Sequence, residues 1–440
     1  MATILDDVRV QIGFEDVVGG IFTLGNSTLD GVDVLDGLGA AVFSGTYDTV
    51  TSDVSEGPRI TIGRDSSLAL FEASRCTFTL NKPGSPDYYN PNAVAGQSPL
   101  AGLTPGFEPM RPVRVQVKTP GAASWSTIWY GFIRRADWDS DDQRCRVDCE
   151  DLFLWLSRVR PTYTAAEATA GGVTNAATAI GFILTQAGWT NSAYRDLGDG
   201  TDLGTSLTLD TEATPDRTAL QIIAEILEVD RGAFWVQGGV ATYKPRSYKF
   251  ERSSLATLQS EMLRTGSSLD LDRIVNRQSV TRTGGTAQEA NDFTSQARYG
   301  LSDGQAIDSA YLATDTEASN LAKFILQSTA TPEPPISLEI DNDSETNLVR
   351  MMTWKVLDRL SAPISFQRFT FGTSTFGGTS GFGGTSDYHI ERIEQEFAVQ
   401  GNYIRTAYAL SRRGAEVARF GYMAFGETDT SLESSAAFTY

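Results

Sequence analysis

The sequence predicts a mainly β protein, with two antiparallel β-barrel or β-sandwich domains and a small α+β domain between them. Three observations support this fold class. Short apolar runs separated by polar turns fill residues 1–158, as is typical of antiparallel sheets. Residues 159–255 carry apolar residues at helical spacing. Residues 256–410 return to strand patterns around one well-marked helix.

The strands of the first domain are predicted from period-two alternation. Val113, Val115 and Val117 alternate with polar residues in RPVRVQVK, and WSTIWYGFIRR and RCRVDC continue with short apolar runs. Because successive side chains of a strand point to opposite faces, such strands are half-buried. Asp151 to Leu156 follows as a short apolar helical turn, which we expect to cover one end of the barrel.

A long loop over residues 81–109 interrupts these strands. The segment is rich in Pro, Gly and Asn, so it is neither a helix nor a central strand. A loop of this length in a compact domain is usually functional or contacts partners. We therefore predict assembly contacts at Tyr88, Tyr89 and Phe107.

Two helices and a hairpin make up the predicted α+β domain. The first helix ends at Gly188, and its apolar positions are Ile180, Ile183, Leu184 and Ala187. The second is predicted to begin with Thr214 as N-cap and Pro215 at the first helical position. Its buried stripe is predicted to comprise Leu220, Ile223, Ala224 and Leu227. Gly238-Gly239 then marks the turn of a hairpin.

The helix of the second β domain is predicted over residues 315–327. Thr314 is a good N-cap, and Glu317 lies three residues later, where it completes a capping box. The apolar residues Ala318, Leu321, Ala322, Ile325 and Leu326 share one face. Prolines at 332, 334 and 335 prevent the helix from continuing. Residues 411–440 lack periodicity, and we expect an arm that orders on assembly.

A glycine-rich segment near the end of the second β domain allows two interpretations. Residues 369–386 read FTFGTSTFGGTSGFGGTS, with Phe371, Phe376 and Phe382 in a near-repeat. The segment is either a flexible hairpin tip or a pliable loop whose aromatic residues order against a neighbouring protein. The second interpretation adds these three phenylalanines to the predicted assembly contacts.

The charge is strongly acidic, with a net value of −19. Ten acidic residues stand against Arg9 alone within residues 1–56. Such a surface repels nucleic acid and argues against a DNA-binding protein, although plain solubility also explains it. The N-terminal residues have acids where a signal peptide has bases, and no apolar run approaches a membrane span. We expect a soluble protein made in a cytoplasm.

Residue chemistry gives no catalytic or metal site. The single histidine, His389, stands in an apparent strand and is interpreted as a structural surface or interface residue. Cys145 and Cys149 are interpreted as small buried hydrophobes, since no second Cys pair or further histidine completes a metal site. The glycine-rich segments lack the lysine of a phosphate loop. We therefore predict no enzyme activity and no cofactor.

The order of several segments, more than any one of them, carries a family resemblance. SRCTFTLNKPGSPDYYNP with PGFEPMRPVRVQV, then WYGFIRR and RVDCEDLFLWLSR, follow one another in the first domain. LTQAGW, TALQIIAEILEVDRGAFWVQGGVATYKPR, NRQSVTRTGG, ARYG, TDTEASNLAKFIL and DYHIERIEQEF with IRTAYALS complete the order. This order resembles the minor tail, or hub, proteins at the distal end of siphophage tails, over about residues 60–410.

The resemblance implies a fold related to the baseplate hub of contractile phages, with two tube-like β domains. The first would span residues 1–158 and the second 256–410, with the α+β domain at 159–255 and an arm at 411–440. It also implies a homotrimer that adapts a sixfold tail tube or other distal tail proteins above to threefold tip, fibre or spike proteins below.

DNA would pass through the channel of this ring without specific binding, and the net charge then predicts an acidic channel wall. The protein would be located at the tail tip of a virion and assembled in the cytoplasm of a bacterial host. Two other functions remain open from the sequence. A tail-tip receptor or glycan-binding protein would use exposed aromatic clusters, and a tail-associated cell-wall hydrolase would need a catalytic constellation in an extra domain.

Overall fold

A computed structural model of the chain describes most of the predicted domains. The description covers residues 7–13, 47–64, 69–85, 87–93, 107–119, 122–161, 163–198, 217–251, 253–258, 263–265, 274–330, 336–363, 370–371, 374–375, 385–398 and 403–412. The predicted arm beyond residue 412, two loop phenylalanines and the prolines at 332, 334 and 335 lie outside these residues.

Strands outnumber helices in the described residues. The strands are β1 (Asp7–Ile12), β2 (Asp48–Thr49), β3 (Val54–Gly63), β4 (Arg75–Leu80), β5 (Pro112–Lys118), β6 (Ser126–Asp139), β7 (Arg144–Glu150), β8 (Arg195–Leu197), β9 (Ala233–Gln237), β10 (Val240–Lys244), β11 (Ala256–Thr257), β12 (Leu263–Thr265), β13 (Arg277–Arg282), β14 (Gln288–Asn291), β15 (Ile307–Ser309), β16 (Ile336–Asp341), β17 (Arg359–Pro363), β18 (Thr370–Phe371), β19 (Ser374–Thr375), β20 (Thr385–Ala398) and β21 (Tyr403–Arg412).

The helices are short, and most begin at a polar N-cap. They are α1 (Leu152–Leu156), α2 (Ala165–Ala170), α3 (Ala176–Gln186), α4 (Ala219–Asp230), α5 (Tyr248–Glu251), α6 (Phe293–Tyr299), α7 (Asp315–Thr329) and α8 (Glu345–Thr353). In the described part of the chain, no helix is both long and apolar enough to cross a membrane.

One large sheet contains strands from both predicted β domains. Its order is β12-β16-β21-β20-β3-β4-β7-β6-β5-β1-β2, and β17 adds to β20 and carries β11. Neighbours along this path are antiparallel. The mainly β fold with an α+β insertion is therefore confirmed. Among the described strands the order is open, and no closed barrel is seen.

Alternation explains why the strands of the first unit lie with one face in the core. Val113, Val115 and Val117 of β5 are buried as predicted, Pro112 and Arg114 are half-buried, and Gln116 departs from the alternation because it is also buried. The partner β6 places Trp129 and Ile133 in the same core. Cross-strand pairs of such β-branched and aromatic residues stabilise antiparallel sheets.

The α+β unit forms much as the sequence predicts. Helix α3 buries Ile180, Ile183 and Leu184, and β9 and β10 form the hairpin whose turn residues Gly238 and Gly239 have φ of 59° and 87°. Positive φ at both central residues is the geometry of a tight hairpin turn. Strand β8 joins β10 in parallel to complete a three-stranded sheet.

Helix α4 starts later than the sequence predicts. Its N-cap is Thr218, which forms a capping box with Gln221, so the predicted cap at Thr214 is wrong. Thr214 and Pro215 lie outside the described residues. The buried stripe also differs. The buried residues of α4 are Ala219, Ile222, Ile223, Ile226, Leu227, Val229 and Asp230, whereas Leu220 and Ala224 are half-buried.

Helix α7 confirms the predicted cap. Thr314 accepts a hydrogen bond from the Glu317 amide, and the Glu317 carboxylate accepts one from the Thr314 amide. The predicted apolar face is buried, together with Phe324. The helix packs against β13 and β14 of the small sheet β14-β13-β15.

A buried carboxylate attaches helix α1 to the first unit. Asp151, the N-cap of α1, is 1% exposed. Its Oδ1 accepts a hydrogen bond from the Phe153 amide at 2.9 Å, and its Oδ2 accepts one from the Ser74 amide at 2.9 Å. The Ser74 hydroxyl in turn accepts a hydrogen bond from the indole of Trp129 at 3.1 Å.

Burial makes Asp151 a group that titrates near neutral pH. Desolvation raises the pKa of Asp151 to about 7, against the smaller opposing effect of its hydrogen bonds to Ser74 and Phe153. The pKa in the folded state is thus above that in the unfolded state. A carboxyl group whose pKa is raised on folding stabilises the folded state fully at a pH below its pKa in the unfolded state. This stabilisation is lost as the pH rises through its pKa in the folded state.

Asp151→Asn should remove this pH dependence, because the amide is neutral at all pH values. We expect the free energy of unfolding of the wild type, relative to the variant, to fall by about 1–3 kcal/mol between pH 5 and pH 8. Urea unfolding at both pH values measures the difference. Parallel stability curves for the two proteins would show that Asp151 does not titrate in this range.

Candidate functional site

The two β units share one sheet because β3 pairs with β20. The ladder runs antiparallel from Gly63 opposite Arg392 to Arg59 opposite Glu396. Ile62 and Ile393 face each other in the core, while Arg59 and Glu396 lie on the exposed face. We call this ladder the seam, since it joins strands that are more than 300 residues apart in sequence.

A β-bulge in β20 places an acidic residue inside the protein beside the seam. Ile390 pairs with Leu410 and Arg392 with Ala409, which leaves Glu391 as the extra residue. Its carbonyl oxygen accepts a hydrogen bond from the Arg64 amide at 3.0 Å, and Glu391 is only 3% exposed. Bulges redirect a side chain in this way.

Three parts of the chain meet at the Glu391 carboxylate. Arg64 Nε donates to Oε2 at 2.7 Å, and Lys249 Nζ donates to Oε1 at 2.5 Å. The Ser411 hydroxyl also donates to Oε1, at 2.5 Å. Arg64 follows β3, Lys249 belongs to α5 and Ser411 to β21, so this buried cluster connects the first β unit, the α+β unit and the second β unit.

The cations keep this buried carboxylate ionised. Burial alone would raise the pKa of Glu391, but the charges of Arg64 and Lys249, with the hydrogen bonds from Lys249 and Ser411, hold that pKa well below its usual range. The guanidinium of Arg64 also stacks 4.7 Å from the Phe71 ring centre. Buried charges are tolerated when they are paired and hydrogen-bonded in this manner.

Gly63 allows the backbone of the seam to approach closely. Its φ is +136°, and a Cβ built there would lie 2.3 Å from the Glu391 carbonyl oxygen and 2.4 Å from Arg392 Cα. Both atoms belong to the backbone of the bulge, which cannot move without opening the ladder. The position therefore requires glycine for both space and conformation.

The sheet has one broad exposed face that crosses the seam. It is formed by β16, β21, β20, β3, β4, β7 and the C-terminal half of β6. Charges of opposite sign alternate along a row across successive strands. The row comprises Asp341, Arg405, Glu396, Arg59, Thr77, Asp148 and Arg135.

Eight arginines of this face form ion pairs, each with a carboxylate within 4.0 Å. The pairs are Arg59–Glu396 (2.8 Å), Arg75–Glu150 (3.7 Å), Arg134–Glu150 (2.7 Å), Arg135–Asp137 (2.7 Å), Arg144–Glu56 (3.8 Å), Arg146–Asp148 (3.2 Å), Arg392–Glu394 (2.9 Å) and Arg405–Asp341 (3.9 Å), with Glu339 also on Arg405. Eight arginines are thus matched by eight carboxylates. These paired side chains are balanced in charge although the chain carries −19, and Asp139 adds one further exposed carboxylate opposite Arg144.

Three of the predicted contact residues lie together in one aromatic cluster. Tyr89 and Phe107 are buried and Tyr88 is half-buried, with ring centres 4.8 Å apart for the tyrosines and 5.8 Å for Tyr89 and Phe107. The Tyr89 hydroxyl donates to Asp53 Oδ2 at 2.5 Å. The cluster brings Tyr88 and Tyr89 together with Phe107 near the end of the predicted loop, and its role in assembly stays a prediction.

Of the remaining predicted contacts, Phe371 lies among the described residues. Phe371 is the last residue of β18, which pairs only with β19 in a two-stranded ladder among the described residues. This ladder fits a hairpin, and both interpretations of the glycine-rich segment remain. Phe376 and Phe382 lie outside the described residues.

The two cysteines are buried as the sequence predicts, whereas the position of the histidine differs from its prediction. Cys145 and Cys149 are buried in β7, and Cys149 lies opposite Cys76 of β4. His389 is in a strand, but it is fully buried, so the predicted surface position is wrong. The described residues contain no group of three or more His, Cys, Asp or Glu side chains arranged to hold a metal ion.

Solved structures of tail proteins align with most of this chain. A tail protein from Neisseria meningitidis is 12% identical, with 84% of this chain and 95% of that chain covered and a TM-score of 0.47. The 43 kDa tail protein of prophage MuSo2 from Shewanella oneidensis is 11% identical, with coverage of 84% and 97% and a TM-score of 0.46.

A component of the E. coli type VI secretion system, described as structurally similar to T4 tail proteins gp27 and gp5, is 11% identical. The alignment covers 82% of this chain and 74% of that protein, with a TM-score of 0.37. No family model matches the chain, and no curated protein sequence matches it.

Glu391→Gln should destabilise the protein strongly, because Arg64 and Lys249 would remain buried without a negative charge. Loss of one partner of a buried ion pair costs about 3–5 kcal/mol, which urea unfolding can measure. Glu394→Gln on the same strand is the control, since its carboxylate is exposed and pairs with Arg392 at the surface. Equal effects of the two changes would show that the cluster does not hold the seam.

Gly63→Ala should also destabilise the protein, through a clash with the bulge. Gly84 provides the matched control, since its φ is +81° and a Cβ there would meet nothing within 4 Å. We expect Gly84→Ala to cost about 1 kcal/mol from conformation alone and Gly63→Ala to cost at least about twice that. Thermal unfolding of both variants gives the comparison. A similar loss in both would assign the whole effect to φ.

Proposed function

We propose that the protein is the trimeric hub at the distal end of a phage tail or of a phage-derived particle. The observation that carries this proposal is the single sheet that continues across both β units and is joined by the buried cluster at Glu391. A continuous sheet makes the two units one rigid body. Such a body suits a structural part of a tail better than a protein whose domains must move.

Two β units in each chain provide a way to match different symmetries. A closed ring of three chains would present six β units to a sixfold tail tube and three chains to a tip with threefold symmetry. In this proposal, residues 1–158 and 256–410 form the two hub domains. Residues 159–255 form the smaller domain that α5 anchors to the seam through Lys249.

The size of the exposed face is compatible with a DNA channel. It comprises seven strands, and neighbouring strands lie about 4.8 Å apart. Three such faces, placed side by side around a ring, amount to roughly 100 Å of circumference, or about 30 Å between opposite backbones. Strand tilt widens such a ring further. We propose that this charged face lines the channel and that the glycine-rich segment contacts flanking tail or tip proteins.

The proposed location is the tail tip of the virion, with assembly in the cytoplasm of a bacterial host. No observed site favours the receptor or hydrolase alternatives among the described residues, which contain neither a candidate metal centre nor a histidine at the surface.

Light scattering over a concentration series tests the ring. We expect a species of three times the chain mass, because a ring of three chains is needed to close the proposed channel. Tails assembled with a labelled chain and imaged by electron microscopy give the location. A monomer at all concentrations, together with tails that assemble completely without the chain, would contradict the proposal.

A further inference from the structure

The arginines of the exposed face are open to solvent yet do not stand alone. Arg59 has 73% of its side chain exposed and Arg135 has 69%. Burial therefore does not keep these guanidinium groups from contacting an anion. Their carboxylate neighbours compete with such an anion for them.

Free arginines on such a face would hold DNA. Phosphates are held mainly by Arg and Lys, and each added contact increases affinity and its salt dependence. To bind a phosphate, a guanidinium that already pairs with a carboxylate must break that ion pair. A phosphate that approaches the guanidinium is also repelled by the nearby carboxylate. With strands about 4.8 Å apart, the repelling carboxylate lies within a Debye length of about 8 Å at physiological salt.

A purely acidic face would also repel DNA, but it would repel itself. Like charges opposite each other on neighbouring strands destabilise a sheet. Along the row through the seam, Arg405 separates the carboxylates of Asp341 and Glu396, and Arg59 lies on the other side of Glu396. The alternating arrangement therefore supports the seam and removes free cations at the same time.

We infer that the carboxylates of this face keep its arginines from holding duplex DNA, so that the surface lets DNA pass without binding it. The inference rests on the proposed function, in which this face lines the channel. It differs from the acidic wall that the net charge predicts, because the ion pairs of the described face contain equal numbers of arginines and carboxylates. Paired charges, and not an excess of acids, make the wall non-adhesive.

A double variant tests this role. Glu150→Gln with Glu396→Gln releases Arg59, Arg75 and Arg134 on the face. The matched control is Asp196→Asn with Asp303→Asn, which changes the net charge equally and releases Lys244 and Arg277 outside the face. Glu396, Asp196 and Asp303 are more than half exposed and Glu150 is 13% exposed but pairs with two exposed arginines, so we expect both variants to fold. Circular dichroism melting curves check this for each.

The readout is the fluorescence anisotropy of a short labelled DNA duplex at about 50 and 200 mM salt. We expect no measurable binding by the wild type or the control at the lower salt. We expect the face variant to bind at least roughly tenfold more tightly than the control and to lose that affinity at the higher salt. Equal DNA binding by the face variant and the control would overturn the inference, as would tight binding by the wild type.

The mass of each variant in solution separates this inference from the proposed ring. A trimer that gains no DNA affinity in the face variant overturns the inference alone. A gain in DNA affinity by a chain that never forms trimers and never enters tails supports the role of the pairs in charge screening and overturns the hub proposal.

Discussion

One buried carboxylate holds the parts of this protein together. Glu391 accepts hydrogen bonds from Arg64, Lys249 and Ser411, and these three residues come from the first β unit, the α+β unit and the second β unit. The charges are costly to bury and are stable only in each other's presence. This polar contact therefore helps to specify the relative placement of the three units, beside apolar contacts between them such as Ile62 with Ile393 and Phe71 with Trp235.

The geometry of the seam follows from that contact. The bulge in β20 directs Glu391 inward and shifts the register with β21 by one residue. The same bulge presents its carbonyl group to the Arg64 amide, and it leaves no room for a side chain at Gly63. Below the sheet, Gln395 donates to the Met351 carbonyl at 3.0 Å, so α8 is tied to the inner face of the seam.

The sequence could predict the local elements well because their causes are local. The capping box at Thr314 and Glu317, the Gly238-Gly239 turn and the alternating valines of β5 each depend on residues a few positions apart. The start of α4 was missed, since Thr214-Pro215 and Thr218 with Gln221 both fit a helix start, and tertiary contacts decide between them.

The seam could not be predicted in the same way. Arg64 and Glu391 are 327 positions apart, and no local pattern connects them. One signal was present, because Ile390 and Ile393 are both buried but only near-alternating, and a break in strand alternation indicates a bulge. The buried Glu391 and His389 show that a polar residue in such a break can face the core.

The sequence separation across the seam has a consequence for biosynthesis. Ribosomes add about 5–20 residues each second, so β3 would wait roughly 15–65 s for the β20 that pairs with it. During that time β3 is an unpaired edge, and the Arg64 guanidinium has no Glu391 to face. Contacts between residues so far apart in sequence form late and slowly. Charged residues on an edge strand discourage pairing with other chains, and Glu56 and Arg59 stand on β3. The nascent first unit thus carries its own protection against aggregation until β20 is made.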